Sequence, residues 1–218
     1  MKSSFLVHPI PPLYDETSRV LILGSFPSPK SREAQFFYGH PQNRFWKVMA
    51  RVLDWRGKES STAERGTTEG SISEGNISEG SISEGSISKG SISEGSISKG
   101  LIPAAGGPVF VPSTVEEKRA MLLSNHIALW DTIASCEITG ASDSSITNVT
   151  PNDLSPILET AKIRAVFCNG AASHNLYMKY IFPVTGREAL KLPSTSPANA
   201  AWSVDRLTEA WRVVTEYL

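Results

Sequence analysis

The chain is poor in the residues that build metal and redox centres, with only two cysteines, Cys136 and Cys168, in 218 residues. They lie far apart and form no CxxC, which excludes a zinc ribbon or a four-cysteine iron–sulfur cluster. Two free, buried thiols in a reducing compartment are expected instead. No apolar run approaches the roughly 18 residues of a membrane span. Residues 1–9 also lack the unbroken apolar stretch of a secretory signal, so a cytoplasmic chain without membrane contact is expected. There is no Walker loop and no GxGxxG. Ser25 and the four scattered histidines form no nucleophilic triad. Strong charge of either sign is missing too, the net being −1.

That charge is unevenly placed. Between 59 and 100 stand seven glutamates (59, 64, 69, 74, 79, 84 and 94) against Arg65, Lys89 and Lys99, and without that segment the net becomes +3. A weakly basic remainder can bind nucleic acid if its charges gather on one side. The same segment is a tandem repeat. Units such as Ser71-Ile72-Ser73-Glu74-Gly75 recur every five residues to Gly100. One isoleucine per pentad buries too little to offset ordering a glycine-rich chain, so 59–106 reads as a flexible insertion. A short β-solenoid is the alternative.

Around the insertion, strands alternate with helices. Apolar runs at 20–23, 127–131, 165–168 and 189–192 read as four strands. Helices are expected over 43–54, where Phe45, Trp46, Met49, Val52 and Leu53 share a face, and over 115–129, 151–161 and 171–180. A closing helix carries Val204, Leu207, Trp211, Val214 and Leu218 on one stripe. The pattern implies one three-layer α/β/α domain over 1–218, with a central four-stranded parallel sheet and the insertion interrupting it.

Three polar segments leave strand ends, where open parallel sheets place their ligand sites. The first is Gly24-Ser25-Phe26-Pro27-Ser28, extended through Phe36, Phe37, Tyr38, Gly39 and His40 to Asn43. The second is Asn169-Gly170. The third is Ser194-Thr195-Ser196-Pro197-Ala198-Asn199. Each has a plain structural reading as well. Asn43 suits a helix cap, Asn169-Gly170 a turn, the aromatic cluster a core, and the serine-rich segment a helix-entering turn. Asp131 and Asp143 read as cap or turn residues.

Together these segments resemble the uracil-DNA glycosylase superfamily, and within it the hypoxanthine-DNA glycosylase branch. The resemblance implies a monofunctional N-glycosylase acting on double-stranded DNA that carries a deaminated base, as a monomer, with no metal or organic cofactor. It implies that Gly24, Ser25, Phe26, Pro27, Tyr38 and His40 hold the extruded nucleotide. Many members carry Asp or Asn at the position of Phe26, and the polar role passes here to Asn43, which orients water. Asn169 recognises the base, its carboxamide pairing with a carbonyl beside an N–H. Ser194, Thr195, Ser196, Pro197, Ala198 and Asn199 contact the DNA, through hydroxyls and free backbone amides on phosphates and an apolar wedge at the minor groove. The alternatives are a uracil or mismatch glycosylase, a catalytically silent nucleic-acid-binding module, and a nucleoside hydrolase.

Overall fold

A computed structural model describes residues 3–57, 109–139 and 145–218. The repeat and Asp143 lie outside the described residues. In chain order the strands are β1 (Ser4–Val7), β2 (Val20–Gly24), β3 (Ile127–Asp131), β4 (Ile133–Ile138), β5 (Thr147–Pro151), β6 (Ala165–Asn169) and β7 (Ala189–Leu192). The four expected strands form one parallel sheet in the order β3-β2-β6-β7.

Both faces of this sheet are covered, which is why its strands are apolar at nearly every position. Val20, Ile22, Ile127, Leu129, Phe167 and Leu192 face one way. They meet α2 (Phe45–Val52), α3 (Val115–Leu123) and α7 (Val204–Trp211) through Phe45, Met49, Met121, Leu122, Leu207 and Trp211. Leu21, Leu23, Ala128, Val166 and Cys168 face the other way. There they pack on Ile157 of α4 (Ser155–Thr160) and on Tyr177 and Ile181, from the π-helical turn that follows α5 (Ala171–Leu176). The three layers are as the sequence pattern implies.

The structure corrects three expectations. The helix at 115 stops at Leu123, and His126, at φ +59°, turns the chain directly into β3. The helix at 151–161 is only Ser155–Thr160, because 147–151 is a strand. That strand belongs to a second sheet, antiparallel and ordered β1-β4-β5, which the alternating pattern did not suggest. Strand β4 leaves β3 after the single residue Thr132, and β1 pairs with it through Val7–Ser135. Ile133, Cys136 and Ile138 of this sheet bury Phe26. A short helix, α1 (Pro29–Glu33), follows the Gly24 loop. Among the described residues no helix is long and apolar enough to cross a membrane.

Candidate active site

The Gly24 loop is built rigidly. Thr132 donates its N–H to Gly24 O at 2.9 Å and its hydroxyl to Ser25 O at 3.1 Å. From the other side, Ser173 Oγ donates to Leu23 O at 2.8 Å and lies 3.0 Å from Gly24 O. Gly24 pairs with Asp131 across the sheet, and a Cβ there would lie 2.1 Å from Asp131 Oδ1. Only glycine fits. A loop fixed through its backbone is a pre-organised platform for a ligand.

The second and third segments are tied to the first by one hydrogen-bonded chain. Asn169 Oδ1 accepts the Thr195 N–H at 2.9 Å, so its Nδ2 faces Thr195 Oγ1, 2.9 Å away. Thr195 Oγ1 in turn donates to Asn43 Oδ1 at 3.0 Å, which also accepts the Phe45 N–H at 3.0 Å. Two backbone N–H groups, which can only donate, thus set every amide orientation in the chain. Asn43 is left presenting Nδ2, with its hydrogens, as the group free to meet a ligand. It receives the first N–H of α2, one residue ahead of the N-cap Arg44, and lines the cavity at once. Thr195, fully buried at the centre, links both carboxamides. Gly170, at φ +100°, lets Ser194 approach, since a Cβ there would meet Ser194 Cβ at 2.8 Å.

Asp131 is not the turn residue that its position suggests. Its side chain is 5% exposed and its Oδ2 lies 2.8 Å from His8 Nε2. His8 Nδ1 accepts the Ile10 N–H at 3.2 Å, which places the ring hydrogen on Nε2 and makes His8 the donor to the carboxylate. The small antiparallel sheet supplies this partner, for His8 follows β1 and its N–H bonds Ala134 O at 2.7 Å.

These groups surround one cavity of about 320 Å³, near the lower end of ligand-site volumes of roughly 300–1,000 Å³. Gly24, Ser25, Phe26, Pro27, Tyr38, Asn43, Asn169, Ser194, Thr195, Ser196 and Ala198 all line it, as do Asp131, Phe37 and Arg32. His40, Pro197 and Asn199 do not. His40 accepts the Gln42 N–H on Nδ1 at 3.2 Å and so serves its own turn. Asn199 donates from Nδ2 to Ser194 O at 2.9 Å, bracing the third segment. Phe36 lies in the core, while Tyr38 is held at φ +51° with its ring stacked 4.0 Å from Phe45.

The amides of the third segment are not free. Thr195 N bonds Asn169, Ser196 N bonds Ser194 Oγ, Ala198 N bonds Ser196 Oγ and Asn199 N bonds Ser196 O. This compact turn pairs the N–H groups of Thr195, Ser196, Ala198 and Asn199 within the protein, and Ser194 and Ser196 line the cavity. Behind the cavity, burial pushes the Cys168 thiol up to about 12, outweighing the Ser173 hydroxyl that favours the thiolate, so it stays protonated at neutral pH.

Three residues carry more than the sequence disclosed. Arg44 donates to the carbonyls of Thr195, Ser196, Asn199 and Trp202, clamping the third segment to the start of α2. Arg32 lines the cavity with its guanidinium 5.9 Å above the Phe26 ring. Asp131 brings the carboxylate that the Phe26 position lacks. A proximal signal exists for Arg44, which adjoins Asn43, but none for the His8–Asp131 pair, 123 residues apart.

A three-layer sheet whose strand ends enclose amide, carboxylate and aromatic groups defines the class, an α/β protein with its ligand site at the carboxyl ends of the strands. The chain belongs to the uracil DNA glycosylase superfamily, whose family model matches residues 11–215. A hypoxanthine DNA glycosylase of Methanosarcina acetivorans is 25% identical over 205 residues, 94% of each chain. A second protein so described, from Methanosarcina barkeri, is 42% identical over 43 residues, 20% of this chain and 27% of its own length. A solution NMR structure of a Methanosarcina acetivorans protein superposes with a TM-score of 0.62 at 24% identity, covering 97% of each chain, which speaks to the fold. The role that family membership gives the chain is DNA glycosylase, a hydrolase of the bond between base and deoxyribose.

Proposed function

We infer that the protein excises hypoxanthine from deoxyinosine in duplex DNA, acting as a monomer. The observation that carries this reading is the Asn43–Thr195–Asn169 chain, which gathers three strand-end segments into one cavity of fixed polarity. The names of the two Methanosarcina relatives supply the choice of base.

The chemistry follows from the groups present. A nucleotide turned out of the duplex loses its stacking, and Phe26, Phe37 and Tyr38 offer apolar wall in exchange, worth roughly 1–3 kcal/mol per base. Rupture of the C1′–N9 bond leaves electron density on the purine and positive charge on the sugar. Donors set in advance around the departing base stabilise that charge without reorganising. Asn43 Nδ2 holds the oxygen of a water, which keeps a lone pair for C1′. Its OH adds to the sugar and its proton leaves with the base. Asn169 anchors Thr195 and keeps the second hydrogen of Nδ2 for the base. The hydroxyls of Ser194 and Ser196 and the exposed 197–198 turn meet the DNA backbone.

Duplexes carrying a single hypoxanthine, uracil, xanthine or T·G mismatch test the reading. Abasic sites should form fastest at the deoxyinosine. Faster release of uracil or of mismatched thymine would replace the substrate, and no abasic site on any duplex would leave a silent binding module.

A further inference from the structure

We propose that Asp131 reads the Watson–Crick edge of the extruded base. Its Oδ1 accepts the lactam N1–H of hypoxanthine and repels adenine, which has a lone pair at that position. This rests on the hypoxanthine reading above and adds the residue that separates the damaged base from its parent.

The His8 ring orients the carboxylate. Because Nδ1 accepts the Ile10 N–H, Nε2 carries the hydrogen, and that hydrogen holds Asp131 Oδ2 at 2.8 Å. The carboxylate plane is therefore set by one anchored oxygen. The other, Oδ1, has no hydrogen-bond partner among the described residues, although it belongs to a side chain 5% exposed. Gly24 keeps clear the space beside it, where a Cβ would come within 2.1 Å. A fixed carboxylate oxygen on a cavity wall gains a charge-assisted hydrogen bond from an occupant that brings it a donor. The cavity-lining position of Asp131 makes that ligand the cavity's occupant.

Depth decides which part of the occupant it meets. Asp131 is 4% exposed, whereas Asn43 is half-buried and Ala198 lies exposed at the rim. A nucleotide entering from a duplex goes base first, with its sugar and phosphates at the mouth. A buried carboxylate on the inner wall then faces the edge of the base furthest from the sugar, which in a purine bears N1 and the substituent on C6. Hypoxanthine carries N1–H and a carbonyl there, while adenine carries a bare N1 and an amino group. A fixed acceptor welcomes the first and opposes the second.

The pair with His8 also makes a diagnostic substitution available. In Asp131→Asn the Nε2–H of His8 retains the amide oxygen, which turns the NH2 into the cavity and exchanges an acceptor for a donor without changing shape. Single-turnover excision is measured on duplexes holding deoxyinosine, deoxyadenosine or 1-methyldeoxyinosine, whose N1 bears no hydrogen. The wild-type protein should release hypoxanthine at least about tenfold faster than its 1-methyl form, as loss of a hydrogen bond to a charged group predicts. Asp131→Asn should slow hypoxanthine release about ten- to a hundredfold and contract the preference over adenine. Asp131→Ala should close the gap between hypoxanthine and 1-methylhypoxanthine.

Equal slowing of both bases in Asp131→Ala, with their ratio preserved, would overturn the proposal and assign Asp131 to the water or to the architecture. Thermal melting reports whether the variants fold, and if neither does, the wild-type ratio decides alone. A wild-type protein that leaves deoxyinosine intact removes the proposed activity, and this inference with it.

Discussion

Asn43 divides its work between two atoms, Oδ1 holding the protein together while Nδ2 faces the cavity. Its identity was legible because an asparagine placed two residues before an apolar helical face invites both a capping and a ligand role. The link from Asn169 was legible for the same kind of reason, at the end of a buried run. The His8–Asp131 pair was not, because nothing local marks two residues that meet only when the small sheet forms. Arg32 was missed because a basic residue in a short polar helix looks like solvated surface. Its guanidinium stands beside the cavity over the Phe26 ring, and we propose that it meets a phosphate at the mouth. Arg32→Ala should weaken binding to undamaged and damaged duplexes alike and lower the slope of log K against log salt by about 1. Fluorescence anisotropy across a salt series measures this, and an unchanged slope would exclude the contact.

At the scale of elements, the parallel strands could be seen in the sequence because burial on both faces leaves them uniformly apolar. The antiparallel sheet could not. Its strands are half exposed, with Phe5 and Val7 of β1 open to solvent, so they lack the apolar signature. The single residue between β3 and β4 also left no turn signal to read. Helix ends were legible where side chains mark them. Thr114 accepts the Glu117 N–H at 3.1 Å, while Glu117 Oε2 accepts the N–H groups of Ser113 and Thr114 at 2.7 and 3.0 Å. Those backbone donors hold the Glu117 carboxyl below its usual range. A carboxyl lowered in the folded state stabilises above its unfolded value and loses that contribution as pH falls through the lowered one. The melting temperature of Glu117→Gln should therefore trail the wild type at pH 7, with the gap narrowing as the solution is acidified toward pH 3. A gap independent of pH would show that the capping carboxylate contributes nothing.

For the whole molecule, the described flanks of the insertion are what bears on the fold. Phe110 N–H donates to Trp55 O at 2.9 Å, so the described flanks of the repeat already meet. We propose that the repeat is dispensable to the domain. Joining 57 to 109 through a short glycine linker should preserve both melting temperature and base excision, since closing a shorter loop costs slightly less entropy. Loss of either would mean that the repeat supports the fold or the substrate. The account as a whole stands on the cavity that Asn43, Thr195 and Asn169 close between them. Its most direct test is the release of free hypoxanthine from a duplex with one deoxyinosine, followed by mass spectrometry for the wild type and for Asn43→Ala. The account predicts hypoxanthine and a matching abasic site from the wild type, and release slowed about 10²–10³-fold in a variant that still melts cooperatively, as when one pre-organised donor is removed. Equal release by the folded variant would contradict it.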